Sequence, residues 1–253
     1  MNIIVCAKQV IDVSEMKVDP NTKKPILQGV PQKISDIDKN ALEEAIKIKE
    51  KLGGKITVVT IGPADAKERI KELLAMGADE GVLVPPPEKF DYYVISNLLA
   101  GAIKNIGEYD IILCGEASID MFSGQAGPRL AGLLGIPQIT YAQSVNAEKD
   151  KVTADRNMGD NAVTTESSYP VLITVTKEIN EPRLPSLMQI LGAANKPINE
   201  LSAESLESGL TSKVEMLELK GVSMERKNIV YKNDIDESIS KLVDSLAKEG
   251  VLR

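Results

Sequence analysis

Short apolar runs alternate with helical stretches through the first half of the chain. Residues 2–7 (NIIVCA) are apolar and β-branched from Ile3 on, the mark of a strand buried on both faces. Over residues 39–52 (KNALEEAIKIKEKL), Ala41, Leu42, Ala45, Ile46 and Ile48 recur at helical spacing, and Gly53-Gly54 stops the helix. A second strand is predicted at 55–61 (KITVVTI), followed by Gly62-Pro63 and a helix over 64–76. A strand at 81–84, a helix at 92–105, a strand at 110–114 (DIILC) and a helix at 127–134 complete the series. Glu43, Glu44, Glu68 and Glu72 fall on these helices and read as solvated charges.

Strict β-α alternation specifies a parallel sheet covered by helices on both faces. Ligands of such sheets bind at the carboxyl ends of the strands, where strand order reverses. After residue 140 the pattern changes. Residues 151–155, 162–166 and 171–176 read as strands, the first two flanking the turn Asn157-Met158-Gly159-Asp160. Residues 180–197 are rich in Pro, Ser and Asn, and 234–246 (DIDESISKLVDSL) read as an amphipathic helix. The expected fold is α/β: a doubly wound parallel sheet with a β-hairpin extension and a C-terminal arm.

Composition narrows the chemistry. The chain has 253 residues and a formal net charge of -7, which argues against a nucleic-acid partner. Histidine is absent, which removes Ser-His-Asp and Cys-His mechanisms and the commonest zinc ligand. Catalytic residues and a metal site are therefore not expected, and the chemistry belongs to a bound cofactor. Cys6 and Cys114 both sit in apolar runs and read as buried thiols rather than a disulfide framework. The opening MNIIVCAKQV reads as a strand, not a signal sequence, and no apolar run is long enough to insert in a membrane. The expected location is the cytoplasm.

Four stretches carry candidate chemistry, each open to a plainer reading. In Cys114–Leu134 (CGEASIDMFSGQAGPRLAGLL) a strand leads through a small-residue loop with Asp120, Ser123 and Gly124 into a helix starting near Gln125–Pro128. Free N–H groups at such a helix start can take a phosphate; an ordinary turn is the alternative. Cys6-Ala7-Lys8 ends the first strand and Thr60-Ile61-Gly62-Pro63 ends the second. Three strand ends with small residues on one rim favour a nucleotide cleft over three unrelated turns. Residues 179–188 (INEPRLPSLM) offer Leu184, Leu187 and Met188 on a proline-stiffened backbone, either for docking or for packing on the chain's own core.

Taken in order, these stretches resemble the electron transfer flavoprotein beta family. The resemblance rests on Ala7-Lys8-Gln9-Val10-Ile11-Asp12, Ala41-Leu42-Glu43-Glu44-Ala45, Ile61-Gly62-Pro63-Ala64 and Leu74-Ala75-Met76-Gly77-Ala78-Asp79. It continues through Ile119-Asp120, Gln125-Ala126-Gly127, Pro137-Gln138 and Asn180-Glu181-Pro182-Arg183. It covers roughly residues 2–200 and implies a Rossmann-type core like that of the adenine nucleotide alpha hydrolases. Residues 1–200 would form the nucleotide-binding domain and 201–253 an arm packing on an alpha subunit that holds the redox FAD. The beta cleft of such proteins holds AMP or, in electron-bifurcating members, a second FAD that meets NADH. By position the nucleotide would touch Cys6, Ala7, Lys8, Ser35, Asp38, Ile61, Gly62, Asp120, Ser123, Gly124, Gln125, Ala126 and Gly127. Loop 181–196 resembles the loop that docks partner dehydrogenases or ferredoxin- and quinone-linked proteins, with Pro185, Leu187, Met188 and Ile190 at the contact.

The sequence also departs from the family pattern. Gln125-Ala126-Gly127-Pro128 looks more like the bifurcating subset than the Asn-Gln-Thr-Gly of AMP-binding members, yet Asp120-Met121-Phe122 stands where that subset has Asp-Gly-Asp. Ser35-Asp36 replaces an Asn-Pro pair, and Ile37 replaces the aromatic that nears the alpha-subunit flavin. FAD is favoured slightly over AMP. Two other readings remain at this point: a nucleotide sensor resembling universal stress proteins, and an adenylating enzyme, whose Ser-Gly-Gly-x-Asp-type loop is missing.

Overall fold

The computed structural model describes residues 1–206, 209–221, 227–232 and 234–252. Of the arm expected over 201–253, residues 207–208, 222–226, 233 and 253 lie outside the described residues. The chain divides into two units, Met1–Lys17 with Ile26–Leu219, and Val18–Pro25 with Lys220–Arg253.

The first unit is built on one sheet. Its strands are β1 Asn2–Cys6, β2 Lys55–Ile61, β3 Glu80–Val84, β4 Ile111–Gly115, β5 Gln138–Ala147, β6 Lys151–Asn157, β7 Ala162–Ser168, β8 Val171–Val175 and β9 Ile198–Glu200. Its helices are α1 Asp36–Leu52, α2 Ala66–Met76, α3 Tyr92–Ile106, α4 Ala126–Leu134, α5 Leu187–Ala193 and α6 Ala203–Leu206. The strand order is β7-β6-β5-β8-β4-β1-β2-β3-β9. From β5 to β9 every neighbour is parallel. The hairpin β6–β7 adds the antiparallel edge beside β5, as the turn at 157–160 predicts.

The central strands are buried on both faces because helices cover both. Ile3 and Val5 share one core with Ala41, Leu42, Ile70 and Leu73 of α1 and α2. Ile4 shares the opposite core with Val94, Leu98 and Leu130 of α3 and α4. Each fully buried Ile or Leu contributes about 1.5–3 kcal/mol of transfer free energy.

One expectation needs correcting. Glu43 and Glu44 are not solvated: only 4% and 6% of their surface is exposed, because the segment after β8 folds over the outer side of α1. Glu68 is exposed as expected. Strand β5 carries no clean alternation in the sequence, because its period is broken at Tyr141. That residue has φ +58°, and the pairing with β8 shifts register there.

In the second unit, α7 Ile235–Lys248 is capped by Asp234, whose side chain accepts from the Asp236 N–H. Ile235, Ile239, Leu242 and Val243 on this helix are exposed.

Candidate functional site

Strand order reverses between β1 and β4. From β1 the chain steps to β2 and β3 on one side, then returns to β4 and β8 on the other. The segments that leave β1 and β4 therefore run to opposite sides of the sheet, and in open α/β sheets ligands bind at such a point.

Asp38 spans this point from the first turn of α1. One carboxylate oxygen accepts the Lys8 N–H at 2.8 Å and the other accepts the Gly115 N–H at 3.2 Å. Any side chain at position 115 would stand 2.6 Å from Asp38 Oδ1, so glycine is what lets the carboxylate reach both strand ends. Burial pushes the Asp38 pKa up to about 7, against the two N–H donors and the Lys8 charge, which favour the ionised form. Ser35, next to α1, donates its N–H to the Lys8 carbonyl at 3.0 Å, and its Oγ accepts the Ile119 N–H at 3.4 Å.

Lys8 Nζ crosses to the loop after β4. It donates to the two oxygens of Asp120 at 2.9 and 2.7 Å and to Ser118 Oγ at 3.5 Å. Asp120 lies below its ordinary pKa: burial opposes ionisation, but the Lys8 ammonium and the Ser118 hydroxyl outweigh it. Met121 and Phe122, the bulkiest residues of this loop, are exposed rather than packed into the cleft. The Phe122 N–H donates to the Ser118 carbonyl at 2.9 Å, and Gly124 turns the chain into α4 with φ +63°.

The start of α4 is the second half of the site. The backbone N–H groups of Gly124, Gln125, Ala126 and Gly127 donate to no other group among the described residues. Pro128 has no N–H. A side chain at Gly127 would stand 2.6 Å from Thr174 Cγ2 on β8, so glycine draws the helix against the sheet. Open donors on a small-residue backbone at a helix N-terminus suit a phosphate. Lys8 is already neutralised by Asp120, so the donors at 124–127 are the positive end of this cleft.

Hydrogen bonds thus join Lys8, Ser35, Asp38 and Asp120, while Cys6 and Ala7 lead directly into that cluster. Ser123 to Gly127 head α4 on the same rim. Ile61 and Gly62 lie at the end of β2, the neighbour of β1, and among the described residues neither is hydrogen-bonded to Lys8. The Gly62 N–H is used by the Val84 carbonyl at 3.1 Å. Gly115 and Ser118 were not singled out by the sequence; the only signal was a glycine and a serine directly after an apolar strand. A concavity of about 530 Å³ opens elsewhere, between Glu80, Asn105 and Asn199, and gathers no comparable set of donors.

Loop 181–196 projects from the far side of α1. Asn180 is locked to the helix: Asn40 Nδ2 donates to its carbonyl at 2.7 Å, and Asn180 Nδ2 donates to Glu44 Oε2 at 3.1 Å. The Arg183 guanidinium grips Glu43 at 2.9 Å and Glu50 at 2.5 Å. At the other end, Lys196 Nζ donates to the Leu74 and Ala78 carbonyls at 2.8 and 2.6 Å, closing the C-terminus of α2. Between these anchors lies α5, started by a capping box of Ser186 and Gln189. Leu184, Leu187 and Met188 are 93%, 71% and 77% exposed, and Ile190 is half exposed. Pro185 is partly covered.

The model of the electron transfer flavoprotein domain matches residues 26–206. The chain belongs to the electron transfer flavoprotein family. It is 40% identical over its full length to the whole of an electron transfer flavoprotein subunit beta of Thermoanaerobacterium thermosaccharolyticum. Over 82% of its length it is 40% identical to 80% of the Clostridium acetobutylicum subunit beta. Over 81% it is 39% identical to 80% of the caffeyl-CoA reductase-Etf complex subunit CarD of Acetobacterium woodii. The role is that of an electron transfer flavoprotein beta subunit, associated with flavin and paired with an alpha subunit. Nothing in these relationships supports the sensor reading. Among the described residues no helix is long and apolar enough to cross a membrane.

Proposed function

We propose that the switch-point cleft of this beta subunit holds a purine nucleotide whose phosphates rest on the N–H groups of Gly124, Gln125, Ala126 and Gly127. The observation that carries the reading is that these four donors are open, on one rim with Lys8 and Asp120. Cys6, Ala7, Ile61 and Gly62 would bound the base and ribose side. Ser35 and Asp38 would fix the distance between the two strand ends, and Ser123 would donate to a phosphate oxygen. The nucleotide is FAD in preference to AMP, because Gln125-Ala126-Gly127 is followed by Pro128. A flavin there would supply two-electron chemistry toward NADH; the residues themselves bind, orient and exclude water. The redox FAD would belong mainly to the alpha subunit, on which residues 201–253 would pack.

Loop 181–196 would dock the dehydrogenase or the ferredoxin- or quinone-linked partner in the cytoplasm through Leu187, Met188, Ile190 and Pro185. Its exposed apolar tip on a fixed base supports this. The deciding experiment is to purify the heterodimer, release its nucleotides with acid and separate them. Two FAD per heterodimer is the expected result. One FAD with one AMP would keep the cleft but replace its occupant, and one FAD with no second nucleotide would overturn the reading.

A further inference from the structure

The chain's two cysteines, 108 positions apart in sequence, meet at the base of the cleft. Cys6 and Cys114 are Cα partners on the adjacent parallel strands β1 and β4. Their side chains enter the same core, the one lined by α3 and α4. Both thiols are free, Cys114 buried and Cys6 partly exposed. Neighbouring strands lie about 4.8 Å apart, inside the Cα separation that a disulfide spans. We infer that Cys6 and Cys114 form a reversible thiol pair that closes to an intramolecular disulfide under hydroperoxide.

The sequence of bonds balances. The Cys6 thiolate attacks the O–O bond of a hydroperoxide; an S–O bond forms, the O–O bond breaks and the alcohol or water departs. The Cys114 sulfur then attacks Cys6 Sγ, its proton leaves with the departing hydroxyl as water, and the S–S bond replaces the S–O bond. Two thiols lose two electrons in all, and one peroxide gains them. Cys6 is the first to react because it has access to solvent. The hydrogen bond with the Cys6 thiol and burial push the Cys114 pKa well up, which keeps Cys114 from meeting peroxide first and leaves it to the second step, where contact with Cys6 makes the attack intramolecular. Strands held by a full hydrogen-bonded ladder about 4.8 Å apart resist the wider separation of about 5.5–6 Å that a relaxed disulfide favours, so the bond is readily reduced.

One consequence rests on the nucleotide reading above: an occupied cleft covers Cys6 and slows its oxidation. The disulfide itself does not depend on that reading. The test uses the full chain in its purified heterodimer, treated with hydrogen peroxide, quenched with N-ethylmaleimide and digested with trypsin without reductant. Cys6 lies in peptide 1–8 and Cys114 in peptide 105–129. The expected product is these two peptides joined, lighter than their sum by two hydrogens, lost on dithiothreitol treatment and absent from C6S and C114S. Sulfinic acid on Cys6 with Cys114 still alkylatable, or links only between separate chains, would overturn the pair. In heterodimer first stripped of its second nucleotide, added AMP or FAD should slow alkylation of Cys6 at least about tenfold, as for a group that reacts only when the ligand is off. If the joined peptides form and neither nucleotide slows alkylation, the thiol pair stands and the nucleotide reading fails.

Discussion

Replacing Asp38 by Asn should change how stability depends on pH more than it changes stability itself. The Asp38 pKa is lifted from 3.8 to about 7 in the fold. Between these values the folded chain holds a proton that the unfolded chain has released, so stability falls as pH rises. A rise of about 3 units at about 1.4 kcal/mol each makes the contribution about 4 kcal/mol, fully present below pH 4 and lost above about pH 7. Asn cannot ionise, so D38N lacks this term. It also offers one acceptor to two N–H groups, a pH-independent offset of about 1–3 kcal/mol that lowers its curve beside the missing term. Urea denaturation of both proteins from pH 4 to pH 8 separates the two effects. The gap between them should narrow or reverse as pH rises, at up to about 1.4 kcal/mol per pH unit. Parallel curves would refute the argument, since a carboxylate fully compensated by the Lys8 and Gly115 amides and the Lys8 charge would carry no such slope.

Three further outcomes follow from the geometry. Arg183→Ala leaves the buried Glu43 carboxylate unpaired; a loss of about 2–4 kcal/mol in urea and faster amide exchange across 184–193 are expected, and unchanged exchange would show that the loop holds itself. Gly127→Val forces α4 away from Thr174, costing about 1–3 kcal/mol and lowering the second nucleotide retained per heterodimer; full retention would separate the cradle from the helix position. Leu187→Ala should raise KM for the physiological redox partner about fivefold to twentyfold, from about 1–2 kcal/mol of lost apolar contact, with flavin content unchanged. An unchanged KM would remove the loop from docking.

The central strands were legible because they are short, apolar and punctuated: Gly53-Gly54, Gly62-Pro63 and Gly135 mark ends that the structure keeps. What escaped has long-range causes. Glu43 and Glu44 look like solvated helix positions because their partners, Arg183 and Asn180, lie well over a hundred residues downstream. Strand β5 is masked by the left-handed turn at Tyr141, whose N–H is taken by Thr174 Oγ1 at 3.1 Å. The strand ends of the rim could be read at Cys6 and Gly62, since each closes an apolar run. The bridge through Asp38 could not, because it exists only once α1 crosses the ends of both β1 and β4.

Anchoring loop 181–196 at both roots has an evolutionary corollary. Arg183 and Lys196 fasten to helices that the sheet already holds, and Ala193 at the end of the intervening seven-residue helix is buried in the same core, while Leu184, Leu187 and Met188 stay outside it. Under the docking role proposed for it, the exposed tip can drift toward a new client protein without altering its buried base, and a client finds a surface whose backbone is already ordered.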